Sequence, residues 1–125
     1  MSTIIVFKSR NEFIKVDLSK VAYMEADGNY CHLFFCNGYA PLVTISMIQM
    51  EQVIAKTLGK GDSGVFIRVG RKYILNSSLI VEVNVQRKTV ILTDYIHPPV
   101  SISLPKESAK QLRLVMEKGQ LNNAN

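Results

Sequence analysis

At 125 residues, 47% apolar and 20% charged, the chain is long enough to bury a core and too apolar for disorder. It holds no run near the roughly 20 apolar residues of a membrane helix, its N-terminus lacks the sections of a signal peptide, and its two cysteines suit a reducing cytoplasm, which argues against a membrane partner. The net charge of +5 is uneven: residues 1–65 carry six Lys and Arg against six Asp and Glu, whereas residues 66–118 carry nine against four. That asymmetry fits a polyanionic partner such as nucleic acid, and equally a basic solubilising surface.

Taken in order, Ile4–Phe7 and Glu12–Val16 read as strands across a Ser9-Arg10-Asn11 turn, since β-branched and aromatic residues flank a polar break. Asp17–Lys20 reads as a connector or single helical turn. Val21–Ala26 is a strand with Val21, Tyr23 and Glu25 on one side and Ala22 and Met24 on the other. Asp27-Gly28-Asn29 predicts a hairpin turn, because Gly and Asn tolerate positive φ. Tyr30–Cys36 is apolar on both faces and is expected to be covered on both, before an Asn37-Gly38 turn into a strand over Tyr39–Val43.

From Ser46 to Leu58 the period becomes helical, with Ile48, Val53, Ile54 and Leu58 on the apolar face and a Ser46/Gln49 capping box. Gly59–Gly64, with three glycines, reads as a loop. Phe66–Asn76 (F-I-R-V-G-R-K-Y-I-L-N) places Gly70, Arg71 and Lys72 between two apolar runs, which predicts a cationic turn held by strands. Ile80–Val85 alternates, with Val81, Val83 and Val85 inward, and Gln86-Arg87-Lys88 turns it into Thr89–Thr93. Asp94–Pro99 is a longer turn and Val100–Ser103 a last strand. Pro105 fits the first position of a closing helix with Leu104, Ala109, Leu112 and Val115 or Met116 marking its apolar face, ending near Gly119. The expected architecture is mostly antiparallel β with one mid-chain and one C-terminal helix. It forms one domain over residues 1–119, followed by a polar, frayed tail at Gln120–Asn125.

Little here suggests catalysis. Cys31, His32 and Cys36 are the only metal-like cluster. In a strand, however, His32 and Cys36 lie roughly 13 Å apart and Cys31 faces the other way, so core packing is the better reading. Neither phosphate-binding glycine fingerprint occurs, and Glu25 with Asp27 reads as a solvated rim. The expectation is therefore a protein that is not an enzyme, with no cofactor, no metal and no small-molecule substrate. Recognition remains. Loop cations suited to DNA are Arg68, Arg71 and Lys72; Arg87 and Lys88; and Lys106 and Lys110. Arg71 can fork onto guanine, and Asn29 offers an amide at its hairpin tip. Arg68, inside the strand pattern, is either an ion-pair partner or a backbone clamp.

The segments V-A-Y-M-E-A-D-G-N-Y (Val21–Tyr30), S-M-I-Q-M-E (Ser46–Glu51), F-I-R-V-G-R-K-Y-I-L-N (Phe66–Asn76) and S-L-P-K (Ser103–Lys106) resemble, in order and spacing, the LytTR family of bacterial DNA-binding domains. The resemblance spans roughly residues 3–118. It implies a mainly β fold of elongated antiparallel sheets stacked face to face with small helices. It also implies a cytoplasmic response-regulator output domain of two-component systems, whose loops enter successive major grooves of double-stranded DNA at direct-repeat promoter sites, with a second copy as a further partner. The DNA-facing positions it implies are Asn29 to His32, Gly70 to Lys72 and Ser103 to Lys106; together with the loop cation Arg68, the candidate DNA-binding residues are Asn29, Cys31, His32, Arg68, Arg71, Lys72, Ser103 and Lys106. This chain departs from the family pattern at Gly70, where a polar residue is common, and at Pro105-Lys106, where arginine is usual. No receiver domain precedes the match, so the chain reads as a stand-alone regulator or an excised fragment. The alternative is a protein-interaction adaptor on the same scaffold, using its basic edge for an acidic partner.

Overall fold

The apolar, β-branched stretches pair as antiparallel ladders throughout, and glycine or polar residues mark nearly every reversal. The structure, a computed structural model, describes residues 3–62 and 65–119; the tail expected at Gln120–Asn125 lies outside them. The fold is mainly β, with ten strands and two α-helices among the described residues. The chain divides into two units, residues 1–76 and 77–125.

In the first unit, β1 (Ile4–Lys8) and β2 (Phe13–Asp17) form a hairpin, and a single 3-10 turn (Leu18–Lys20) follows. A five-stranded sheet has the order β5-β4-β3-β7-β6, from β3 (Val21–Asp27), β4 (Tyr30–Phe35), β5 (Leu42–Val43), β6 (Phe66–Val69) and β7 (Tyr73–Asn76). Helix α1 (Met47–Asp62) and the β1–β2 hairpin supply the rest of the core. Leu18, Met24, Leu33, Met50 and Ile74 are fully or almost fully buried there. The predicted capping box forms reciprocally: Ser46 N donates to Gln49 Oε1 at 2.9 Å and Gln49 N to Ser46 Oγ at 3.2 Å. Such a cap contributes about 1 kcal/mol.

Several expectations shift. The buried stripe of α1 is Met47, Met50, Ile54 and Leu58, while Ile48 is 66% exposed; the methionines outcompete it by spacing with Ile54 and Leu58. Gly59 leaves helical geometry (φ +78°), yet the chain resumes a helical turn to Asp62 where a loop was expected; residues 63–64 of that loop lie outside the described residues. The strand expected over Tyr39–Val43 shrinks to Leu42–Val43, because Pro41 has no N–H to give and enters only through its carbonyl, bonded to Leu33 N. Strand β4 is not covered on both faces. Cys31 and Leu33 are buried, but His32 and Phe34 are half-buried, with Phe34 stacked on Tyr23 at 4.5 Å.

A bulge between Val21 and Tyr23 breaks the alternation expected of β3, so Val21 and Ala22 are both buried. The Val21 carbonyl takes a hydrogen bond from buried Asn76 Nδ2 at 2.8 Å. Asn76→Ala leaves that carbonyl unpaired and is expected to cost about 1–3 kcal/mol in urea unfolding. A loss under 0.5 kcal/mol would mean the bulge needs no such support.

The second unit holds the sheet β10-β9-β8, from β8 (Ile80–Asn84), β9 (Thr89–Leu92) and β10 (Val100–Ser103), with α2 (Lys106–Gly119) closing the chain. Val90, Leu92, Ile102, Leu104, Ala109 and Leu112 are buried. A bulge between Ile80 and Glu82 undoes the alternation predicted for β8. Val81 is exposed and Val85 lies in the turn. Pro105 precedes α2, its carbonyl accepting from Ala109 N, and of the two alternatives for the apolar face Met116 is half-buried while Val115 faces outward.

Candidate nucleic-acid interface

Strand β3 is the common neighbour of two hairpins. It pairs with β4 up to Asp27 opposite Tyr30, and with β7 up to Glu25 opposite Tyr73. The Gly28-Asn29 turn and the Gly70-Arg71-Lys72 turn therefore leave the same end of the sheet, and Ala26 N donates to Lys72 O at 2.7 Å between them. Gly28 (φ +62°) and Gly70 (φ +61°) supply the left-handed backbone that tight turns need.

Of the cations on the second turn, Arg71 is exposed, and its guanidinium makes no ion pair among the described residues. Lys72 Nζ sits 3.0 Å from Glu25 and 5.4 Å from the centre of the Tyr73 ring; the bond to Glu25 holds its ammonium above lysine's ordinary pKa. That pair is largely exposed, so a phosphate can compete for it.

Arg68 is both an ion-pair partner and a backbone clamp. Its Nε donates to Gly70 O at 3.2 Å, one terminal nitrogen to Arg71 O at 3.0 Å, and the other pairs with Glu51 of α1. Its donors are thus committed to shaping the turn that carries Arg71. The other positions separate by depth. Asn29 is exposed at its hairpin tip, and His32 is half-buried with Nε2 donating to Ala40 O at 2.9 Å. Cys31 is in the core, its Sγ 3.4 Å from Met47 Sδ. Burial pushes its thiol up to about 11, so its side chain neither reaches the surface nor ionises at neutral pH.

In the second unit, Leu104 N donates to Lys88 O at 2.9 Å, one step beyond the Ser103–Thr89 pair. The Arg87-Lys88 turn and the Ser103–Lys106 segment therefore share one end of the three-stranded sheet, with Arg87, Lys88, Ser103 and Lys106 exposed. Asn84 Oδ1 fixes the turn by accepting from Arg87 N at 2.8 Å. Lys88 has φ +59°, a left-handed backbone that disfavours a β-carbon. Lys88→Gly is expected to raise stability by about 0.5–1 kcal/mol in urea unfolding while lowering DNA affinity. A loss of stability would show that the lysine is unstrained.

The structure thus gathers Asn29, Arg71 and Lys72 at one sheet end, and Ser103 and Lys106 at another. The expected positions left out Glu51, whose pairing across 17 residues carries no local signal. Arg87 and Lys88, named among the loop cations from their charge, are not among the positions that the family resemblance implies. Among the described residues, no three His, Cys, Asp or Glu side chains converge to hold a metal ion. No helix there is long and apolar enough to cross a membrane.

Comparison with known proteins bears on what this surface serves. The model of the family described as LytTr DNA-binding domain matches residues 11–117. A solved structure, the LytTr DNA-binding domain of a Bacillus cereus protein described as a methyl-accepting/DNA response regulator, is similar over 93% of this chain and 98% of that one. The TM-score is 0.60 and the identity 21%, a likeness that speaks to the fold. No curated protein matches.

Proposed function

The chain belongs to the LytTR family of DNA-binding domains, and from that membership we propose a sequence-specific reader of double-stranded DNA acting in transcriptional regulation. The observation that carries the reading is the Gly70-Arg71-Lys72 turn. There Arg71, exposed and without an ion pair among the described residues, is held in place by Arg68 and stands at the same sheet end as the Asn29 hairpin tip. A forked guanidinium on a fixed backbone suits the N7 and O6 edge of guanine in the major groove, and an amide suits adenine. Lys72, Lys88 and Lys106 supply charge for phosphates, which position the protein without reading sequence. The sites are read as direct repeats occupied by two copies, in the output step of a two-component pathway.

Selection of bound duplexes from a random pool identifies the site and its repeat spacing. Titration of that duplex at rising salt then tests the mode of binding. With about six phosphate contacts, affinity is expected to fall about a thousandfold between 50 and 200 mM salt. Absence of duplex binding at 50 mM salt overturns the proposal.

A further inference from the structure

We propose that the Asp94–Pro99 connection is a knob that seats in the groove between β8 and α2 of a second copy of this chain, joining copies head to tail on adjacent DNA sites. This rests on the DNA-binding reading above. Among large apolar residues in the described chain, Tyr95 and Ile96 are the most exposed, at 84% and 81%. Tyr95 also has φ +62°, a backbone unfavourable for a bulky side chain. The tip is held there by its neighbours. Thr93 Oγ1 accepts from Tyr95 N, Asp94 Oδ1 accepts from both Ile96 N and His97 N, and Asp94 Oδ2 pairs with His97 Nδ1 at 2.8 Å. These bonds, led by that from His97 N, keep the Asp94 carboxyl below the usual carboxylate range, so the lock persists at neutral pH. A strained, pre-ordered tip carrying two bare apolar side chains has little ordering entropy left to lose on docking.

The receptor lies in the same unit: a groove of about 300 Å³ with Ile80, Val81, Val83 and Met116 along it and the Arg113–Glu117 pair at its rim. Arg113 on that rim offers a cation to the Asp94 carboxylate at the knob's shoulder. The area identifies the circumstances. An aromatic side chain buries about 150–250 Å², so knob and groove together cover on the order of 600 Å², short of the roughly 1,000 Å² of a stable interface. The contact therefore fails in free solution and forms where DNA holds two copies close. Because knob and groove are different surfaces, the contact is heterologous and relates copies pointing the same way, as direct repeats require. The knob joins the end of β9 to the start of β10, at the opposite end of that sheet from Lys88 and Ser103, so DNA and a neighbour can be engaged together.

The test uses the full chain with duplexes bearing one or two copies of the selected site in direct orientation. Tyr95→Gly suits the local backbone and removes the ring; Val81→Lys alters the groove at an exposed position. Each variant is expected to bind the single site within about twofold of the parent and to lose the cooperativity expected at the double site, about 5- to 150-fold. An equimolar mixture of the two recovers part of the cooperativity, since only the arrangement that sets an intact knob against an intact groove makes the contact. Wild-type cooperativity in either variant, or a mixture no better than its components, overturns the proposal. So does a drop in single-site affinity for Tyr95→Gly, which would assign the knob to DNA. Failure of the parent to bind the single site instead removes the DNA reading itself.

Discussion

Arg71→Ala is expected to weaken binding to the selected duplex about 5- to 150-fold, the worth of one forked base contact, while unfolding free energy moves by less than about 0.5 kcal/mol. The two effects separate because the Arg71 side chain supports nothing else among the described residues; only its carbonyl is used, and alanine keeps it. Arg71→Lys retains charge but not the fork. It should recover the salt dependence without recovering the preference for the selected sequence. Wild-type affinity and sequence preference in Arg71→Ala would remove Arg71 from the interface. Equal losses on selected and random duplexes would reduce it to a phosphate contact.

Arg68→Ala is expected to cost both folding and binding. The substitution breaks the Glu51 pair and strips the Gly70 and Arg71 carbonyls of their donors. Hydrogen bonds to a charged donor contribute roughly 1.5–3 kcal/mol when buried; this group is partly exposed, so about 2 kcal/mol for the set is the expected loss. DNA affinity should drop at least as far as in Arg71→Ala, because the turn carrying Arg71 loses its hold. Glu51→Gln keeps an acceptor for Arg68 and is expected to fall between the two in both urea unfolding and binding. Unchanged stability and affinity in Arg68→Ala would show that Gly70 shapes the turn unaided.

Local patterns foretold what they govern directly. The Gly28-Asn29 and Gly70 turns, the Ser46/Gln49 cap and the Val100–Ser103 strand are set by φ preferences and neighbours within a few residues, and all are present. Bulges at Val21 and Ile80 were illegible, since an extra residue in a ladder depends on the partner strand. Core packing was the residues' own reading of Cys31, and its side chain is buried; which face of β4 meets α1 was hidden, because both faces are apolar. For the site, charge and spacing indicated Arg71, Lys72 and Lys106. They did not show that Arg68 points its donors at backbone carbonyls or that Lys72 pairs with Glu25, which are facts of side-chain reach across strands.

The double pairing of β3 also bears on how such a protein changes over generations. The spacing between the Asn29 and Arg71 positions is set by main-chain ladders that any residue can make, together with Arg68, Glu51 and Asn76 lower in the frame. Among the described residues, the side chains of Asn29 and Arg71 make no bond that holds it together. Drift at Asn29 or Arg71 therefore costs little fitness through folding, so if the proposed DNA reading holds, exchange of these two residues changes the sequence read without disturbing the frame.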